Sequence, residues 1–132
     1  MIFEESVVVA QPFDQVVDAV IAALAEQGFG VLTEIDLEDT LRRKVGAEIG
    51  RYRILGACNP TLASKAVEAV PQIGVLLPCN VTVRETDNGV VVEAMDPGLM
   101  ASIAGAEALR PVADQARELI GNALNQVMAS TS

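Results

Sequence analysis

The chain has 132 residues, a hydrophobic content of 51% and a formal net charge of -9, with 9 basic residues, 18 acidic residues and no histidine. A single domain is expected at this length. The negative charge disfavours phosphate backbones and anionic membrane surfaces, so we expect neither nucleic acid nor a membrane as a partner. The first residues contain no basic leader and no apolar run of signal-peptide length, which predicts a cytoplasmic protein with reduced cysteines.

The N-terminal half is predicted to alternate two strands with two helices. Apolar residues recur at helical spacing from Phe13, and Gly28 suits the position just after a helix C-terminus. Asp36 can cap a further short helix. The predicted elements are a strand over 3–9, a helix from 13 to about 27, a strand over 29–35 and a helix over 37–44.

The C-terminal half is predicted to contain a third strand, a capped helix, a hairpin and a long last helix. Asn59 can cap the helix, Pro60 suits its first turn and Pro71 ends it. Asp96-Pro97-Gly98 is predicted as a turn. The predicted elements are strand 52–57, helix 61–70, strands 81–85 and 90–94, and helix 111–128. Residues 1–129 then form one α+β domain in βαβ-α-βαββα order, and residues 130–132 form a frayed tail.

A hairpin is predicted at Asn88-Gly89, the strongest short hairpin signal in the chain. A two-residue loop there sets Arg84 opposite Glu93, and an opposite-charge pair indicates the solvent face. Counting by two then places Val81 and Cys79 on the core face. The same register gives the pairs Asp87–Val90, Glu85–Val92 and Val83–Ala94.

The third strand is predicted to direct its arginines to solvent. Arg51 and Arg53 share one parity, so the opposite set is expected to point inward; it consists of Tyr52, Ile54, Gly56 and Cys58. Cys58 and Cys79 would then face one sheet surface, close together and within reach of one cavity.

Several motifs together resemble a known family. They are LGACNP (Leu55–Pro60), Leu62-Ala63 with Ala66, P-x-I-G-V-L-L-P-C (Pro71–Cys79) and Asp96-Pro97. The pattern is similar to the bacterial and archaeal family called domain of unknown function 302, over roughly the whole chain. The resemblance implies a TATA-binding-protein-like α+β fold, with an antiparallel sheet covered on one face by helices, commonly as a homodimer, and it implies no established activity. The family positions matched are Cys58, Asn59, Pro60, Gly74, Pro78, Cys79 and Asp96.

The two cysteines are the candidate catalytic thiols. Cys58 precedes a predicted helix N-terminus, which favours a thiolate and would make it the better nucleophile. The alternative is that both cysteines are small buried hydrophobes. No metal site is assigned, because no histidine completes a zinc tetrahedron. Cu(I) accepts softer sites of lower coordination, and Met95 and Met100 lie near Cys79 in sequence. The cofactor is left unknown.

The other matched positions are candidate pocket residues, each with a structural alternative. Asn59 and Pro60 can serve only as a helix cap and first turn. Gly74 and Pro78 can be backbone devices, or can form a rigid loop that holds a cysteine beside a cavity. Asp96 can be a turn or cap residue, or a weak candidate for acid–base chemistry.

Three functions remain open from the sequence. The leading hypothesis is a homodimer that binds a small, partly apolar ligand in a cavity between sheet and helices. The second is sulfur transfer or redox chemistry by Cys58 and Cys79. The third is an interaction module without a small ligand. A mean hydropathy of +0.37 in so short a chain favours the homodimer, because surplus apolar surface tends to be covered by a symmetric partner.

Overall fold

Strands and helices alternate along most of the chain. In this computed structural model, secondary structure is described for residues 3–131 and side chains for residues 6–129. The strands are β1 (Phe3–Val9), β2 (Gly30–Asp36), β3 (Tyr52–Cys58), β4 (Cys79–Thr86) and β5 (Gly89–Met95). The helices are α1 (Phe13–Glu26), α2 (Leu37–Val45), α3 (Pro60–Ala69), α4 (Pro97–Ala104) and α5 (Arg110–Thr131), with short 3₁₀ helices at Pro71–Leu76 and Glu107–Leu109. Ser132, at the end of the predicted tail, lies outside the described residues.

The strands form one antiparallel sheet in the order β1-β5-β4-β3-β2. Alternate residues of the inner strands are buried on one face, among them Val81, Val83 and Val92, each fully buried. Helix α1 packs its apolar stripe, which includes Val16 and Val20, into the same core. The α+β class and the covering of one sheet face by helices are therefore confirmed. Within residues 3–131, no helix is long and apolar enough to cross a bilayer.

The helix boundaries follow the signals in the sequence. Asp36 precedes α2, and its side chain accepts a hydrogen bond from the backbone N–H of Asp39 at 2.9 Å. Gly28 follows α1 with a φ of 84°, a conformation in which a side chain would be strained. Both features were predicted from residue type and spacing alone, because caps and terminal glycines act locally.

The predicted register of the β4–β5 hairpin is wrong by two residues. Thr86 pairs with Gly89, Val83 pairs with Val92, and Arg84 lies opposite Val91 rather than Glu93. Gly89 has a φ of 128°, and a Cβ on it would lie 3.0 Å from the carbonyl oxygen of Val9. Glycine is therefore needed here because the backbone packs closely against β1, and residue 89 is not a central residue of the turn.

A shift of two residues preserves side-chain parity, so the predicted faces of the hairpin are correct. Arg84 and Glu93 still form an ion pair at 2.7 Å, as diagonal rather than direct neighbours. Val81 and Cys79 lie on the core face, as predicted.

The predicted parity of β3 is wrong. Leu55 pairs with Val81 and Ala57 pairs with Cys79, so Leu55 and Ala57 lie on the core face and Cys58 has the opposite parity. The inward set predicted with Cys58, namely Tyr52, Ile54 and Gly56, shares that opposite parity.

The arginines explain the wrong parity. Arg51 and Arg53 lie on the helix-covered side, where their guanidinium carbons are 4.4 and 5.9 Å from the centroid of the Phe13 ring. Arg51 also bonds to Asp14 of α1 at 2.6 Å. A long arginine side chain can cover apolar surface while its charge reaches the rim, so its presence does not define the solvent face.

Helix α4 occupies the segment predicted as a turn at residues 96–98. Asp96 is its N-cap and accepts a hydrogen bond from the N–H of Gly98 at 2.8 Å, while Pro97 takes the first helical position. Gly105, with a φ of 64°, follows the last residue of the helix. Asp96, Pro97 and Gly98 favour the start of a helix as well as a turn. The short apolar segment that follows them shows no clear helical periodicity in the sequence.

Candidate functional site

A cavity lies where the ends of β3 and β4 meet helices α3, α4 and α5. Its volume is about 30 Å³. Most of its walls are apolar: Ala57 and Cys58 of β3, Leu62, Ala63 and Ala66 of α3, Cys79 of β4, Met100 of α4 and Ala116 of α5, with Phe29 and Leu77 beside them. Several small alanines on different elements leave this space open.

The cavity suits an apolar group better than water. The cavity could hold roughly two water molecules, since one water needs about 10–15 Å³ of cavity volume. A buried water needs two to four polar partners. Among the lining residues, Asn59 carries the only side-chain amide, and both its polar atoms already have partners. A cofactor or a drug-sized ligand, which needs about 300 Å³ or more, does not fit without movement of a wall.

Asn59 fixes the edge of the cavity beside Cys58. Its Oδ1 accepts a hydrogen bond from the backbone N–H of Leu62 at 3.2 Å and so caps α3. Its Nδ2 donates to the carbonyl oxygen of Gln27 at 3.4 Å, which ties the helix start to the turn after α1. The side chain also sits over Gly28, where a Cβ would approach Nδ2 to 3.1 Å. The residue therefore holds two elements of the cavity wall in place.

The two cysteines both line this cavity and both are free thiols. Ala57 is the direct strand partner of Cys79, so the Cα atom of Cys58 is one residue off that pair. Strand spacing puts the two cysteine Cα atoms about 6 Å apart. Their opposite parity directs the two Cβ atoms to different sides of the sheet, which disfavours a disulfide without backbone movement.

Cys79 is buried, with 6% of its surface exposed, and Cys58 is half-buried. Burial, and as a smaller cause the charge of Cys58, raise the pKa of the Cys79 thiol to about 11. Cys79 is therefore a neutral thiol at neutral pH and a poor nucleophile.

Asp96 lies away from the cavity and anchors one of its walls. Besides capping α4, its carboxylate accepts hydrogen bonds from Arg117 of α5, at 2.8 Å from Nη2 to Oδ1 and at 3.0 Å from Nη2 to Oδ2. A Cβ on Gly98 would collide with the Arg117 guanidinium, so the close contact requires glycine. This clamp fixes α4, which carries Met100 into the cavity.

The remaining predicted residues surround the site without lining it. Pro60 takes the first position of α3. Gly74 lies in a 3₁₀ helix, where its carbonyl accepts a hydrogen bond from Leu77 at 3.2 Å. Pro78 precedes Cys79 and packs near Gly56, since a Cβ on Gly56 would approach Pro78 Cγ to 2.8 Å. These residues shape the backbone around the cysteines.

Several lining residues were not predicted from the sequence. Phe29, Leu77 and Ala116 reach the cavity from distant parts of the chain. The spacing of Leu62 and Ala66 by four residues was a usable signal for an inward helix face, but nothing in the sequence indicated what that face would meet. Within the described residues, no group of three His, Cys, Asp or Glu side chains is placed to hold a metal ion.

Comparison with known proteins supports this fold. Residues 5–127 match the family model described as "Domain of unknown function DUF302". Among solved structures, the chain is similar to the uncharacterized conserved protein DUF302 from Bacillus stearothermophilus, with a TM-score of 0.88 and 21% identity, covering 96% of this chain and 98% of that chain. None of the curated proteins matches.

Proposed function

Because the chain belongs to the DUF302 family, whose description names no activity, we propose from the cavity itself that this protein binds a small, partly apolar molecule. The observation that carries the proposal is the largely apolar, alanine-lined cavity of about 30 Å³ between the sheet and helices α3, α4 and α5. An apolar group of a few heavy atoms would enter it, and the rest of the molecule would remain near the half-buried Asn59 and Ala63.

The test is native mass spectrometry of the protein purified from its own host, compared under non-denaturing and denaturing conditions. We expect a small-molecule adduct that is lost on denaturation. Ala63→Leu fills the cavity and should abolish the adduct. Ala69→Leu, on the exposed face of the same helix, is the matched control and should retain it. Absence of any adduct from the natural protein refutes the proposal and favours an interaction module without a small ligand.

A second candidate function is thiol chemistry, such as sulfur transfer. One observation favours it: Cys58 and Cys79 line one cavity, and Cys58 immediately precedes the N-cap of α3. Cys58 would be the attacking thiol, since the raised pKa of Cys79 keeps that thiol protonated. Rapid alkylation of Cys58 at pH 7, compared with a free cysteine peptide and with Cys58→Ser, supports this function. Alkylation no faster than the peptide excludes it.

We also propose a cytoplasmic homodimer. Four exposed apolar side chains lie in β2, in α2 and in the segment after α2: Leu32 is 68% exposed and Val45 is 73% exposed, and Ile35 and Ile49 lie in the same stretch of chain. Such surface is commonly covered by a symmetric partner. Light scattering should give a dimer that Val45→Glu dissociates, while Val75→Glu, at an 88% exposed site on a 3₁₀ helix outside that stretch of chain, should not. A 13.9 kDa species for the natural chain refutes this part.

A further inference from the structure

Helix α2 has an apolar face that the rest of the protein covers only in part. Leu37, Leu41 and Val45 recur every four residues and so lie on one side of the helix. Leu37 and Leu41 are half-buried and Val45 is 73% exposed. Of the helices within residues 3–131, only α2 buries none of its side chains. A helix of nine residues depends for most of its stability on the packing of its apolar face, so this face lacks part of the surface that should cover it.

The charges of α2 are separated along its axis. Glu38 and Asp39 lie in its first turn. The basic residues Arg42, Arg43 and Lys44 lie in its last turn. Asp39 forms ion pairs with Arg42 and Arg43 at 2.8 Å each. Glu38 and Lys44 have no ion pair within the part of the chain that the structure describes. When two such helices pack side by side in opposite directions, the acidic turn of each lies beside the basic turn of the other, whereas a parallel arrangement places like charges together.

We propose that α2 packs antiparallel against α2 of a second copy of this chain, about a two-fold axis near Leu41. The inference rests on the homodimer proposed above and names the surface and the arrangement that form it. In such a symmetric contact Leu41 meets its own counterpart, and Leu37 meets the partner's Val45. The helix is only about 14 Å long, and a stable interface buries about 800 Å² on each partner. The exposed side chains of Ile35 and Ile49, which flank α2 in sequence, are expected to extend the contact.

A second copy fits this surface better than an unrelated partner does. A partner whose surface carries charge of one sign would match only one end of α2, whereas α2 itself matches both ends. Two copies with a net charge of -9 repel each other at a distance, so their contact must bring opposite charges together. Other exposed apolar side chains do not meet this condition, because Val75 and Ile103 lie on helices without any charged residue. Since the matching charges are exposed, added salt should weaken the dimer.

The test is an exchange of charges between the two ends of α2, with the dimer dissociation constant measured by analytical ultracentrifugation. Glu38→Lys and Lys44→Glu each place like charges together at both ends of the contact, so each should raise the dissociation constant roughly tenfold or more. An equal mixture of the two variants restores opposite charges at both ends and should form a mixed dimer, which native mass spectrometry detects when one variant carries ¹⁵N. Glu68→Lys and Lys65→Glu, at exposed sites on α3, are the matched controls and should dimerise as the natural chain does.

The mixed dimer separates a contact between two chains from damage to one helix, because each variant keeps its own altered charge in the mixture. The natural chain gives a second measurement that needs no variant: its dissociation constant should rise between 0.05 and 0.5 M NaCl. A monomeric natural chain refutes the homodimer and this arrangement together. A dimer that responds neither to salt nor to the charge of residues 38 and 44 leaves the homodimer standing and refutes the contact through α2. Weakened single variants that form no mixed dimer refute the antiparallel arrangement.

Discussion

The stability of the protein should fall between about pH 9 and pH 11 because one buried thiol has a raised pKa. In the folded state, burial raises the pKa of Cys79 to about 11 from an ordinary value of 9.0. A thiol with a raised pKa contributes stability that is fully present below the unfolded value and is lost as the pH rises through the folded value. The relevant window is therefore alkaline, between about pH 9 and pH 11.

The size of the effect follows from the two pKa values. At pH 10 the unfolded thiol is mostly ionised and the folded thiol is mostly neutral, which removes about 1.4 kcal/mol of stability relative to pH 7. The limit well above pH 11 is about 2.7 kcal/mol. Solvent screening is small, because Cys79 is only 6% exposed.

The assay is urea unfolding under reducing conditions at pH 7, 9 and 10, for the natural chain and for Cys79→Ala. The two proteins differ only at residue 79, so the difference between their unfolding free energies isolates the thiol. That difference should shrink by about 1.4 kcal/mol between pH 7 and pH 10. Cys58→Ala removes only the smaller cause of the shift, so it should keep most of the pH dependence. Parallel pH profiles for the natural chain and Cys79→Ala would refute the reasoning.

Two further substitutions test the packing around the cavity. Gly56→Ala should destabilise the fold by about 1–3 kcal/mol in thermal or urea unfolding, because its Cβ would collide with the Thr33 side chain; Gly30→Ala, which meets nothing within 4 Å, should cost less than about 1 kcal/mol. Arg117→Leu should cost about 1–3 kcal/mol because the half-buried Asp96 carboxylate loses its hydrogen bonds from the guanidinium. A loss in the double variant Asp96→Leu/Arg117→Leu that is smaller than the sum of the two single losses would show that the two residues act as one unit. A Gly56→Ala variant as stable as Gly30→Ala, or additive losses at Asp96 and Arg117, would contradict these expectations.

The elements of this fold were largely predictable from the sequence, because caps, terminal glycines and apolar spacing act within a few residues. Asp36, Asn59 and Gly28 mark helix ends by local chemistry alone. The hairpin register was not predictable from Asn88-Gly89. Glycine is required at position 89 by its close approach to strand β1 and not by the conformation of the turn. Long-range contacts of this kind leave no local pattern in the sequence.

The site was predictable in part, because local sequence motifs mark some of its residues. Cys58, Cys79 and Asn59 were identified from their motifs, and the structure brings them to one cavity. The prediction of which β3 side chains point inward was wrong. Arg53 was expected to point to solvent, but it lies on the helix-covered face, and its charged end reaches the edge of that face. Cys58 lines the cavity as the last residue of its strand, next to the cap of α3. The wall supplied by α4 and α5 depends on the Asp96–Arg117 clamp, across 21 residues of sequence.

The energetic cost of the cavity gives a way to separate a binding site from imperfect packing. At about 24 cal/mol per Å³, an empty space of this size costs roughly 0.7 kcal/mol, which a larger side chain could recover. Ala63→Leu should therefore be slightly more stable than the ligand-free natural chain.

A bound molecule should make the natural chain more stable than Ala63→Leu. At a ligand concentration of 100 times Kd, binding adds about 2.7 kcal/mol, several times the cost of the void. The natural chain purified with its host ligand should then have a higher melting temperature than Ala63→Leu. After the ligand is removed, the natural chain should have the lower melting temperature of the two. Ala69→Leu should behave as the natural chain does, with and without the ligand. If Ala63→Leu is the more stable protein before and after stripping, the space is a packing defect and the proposed ligand site is wrong.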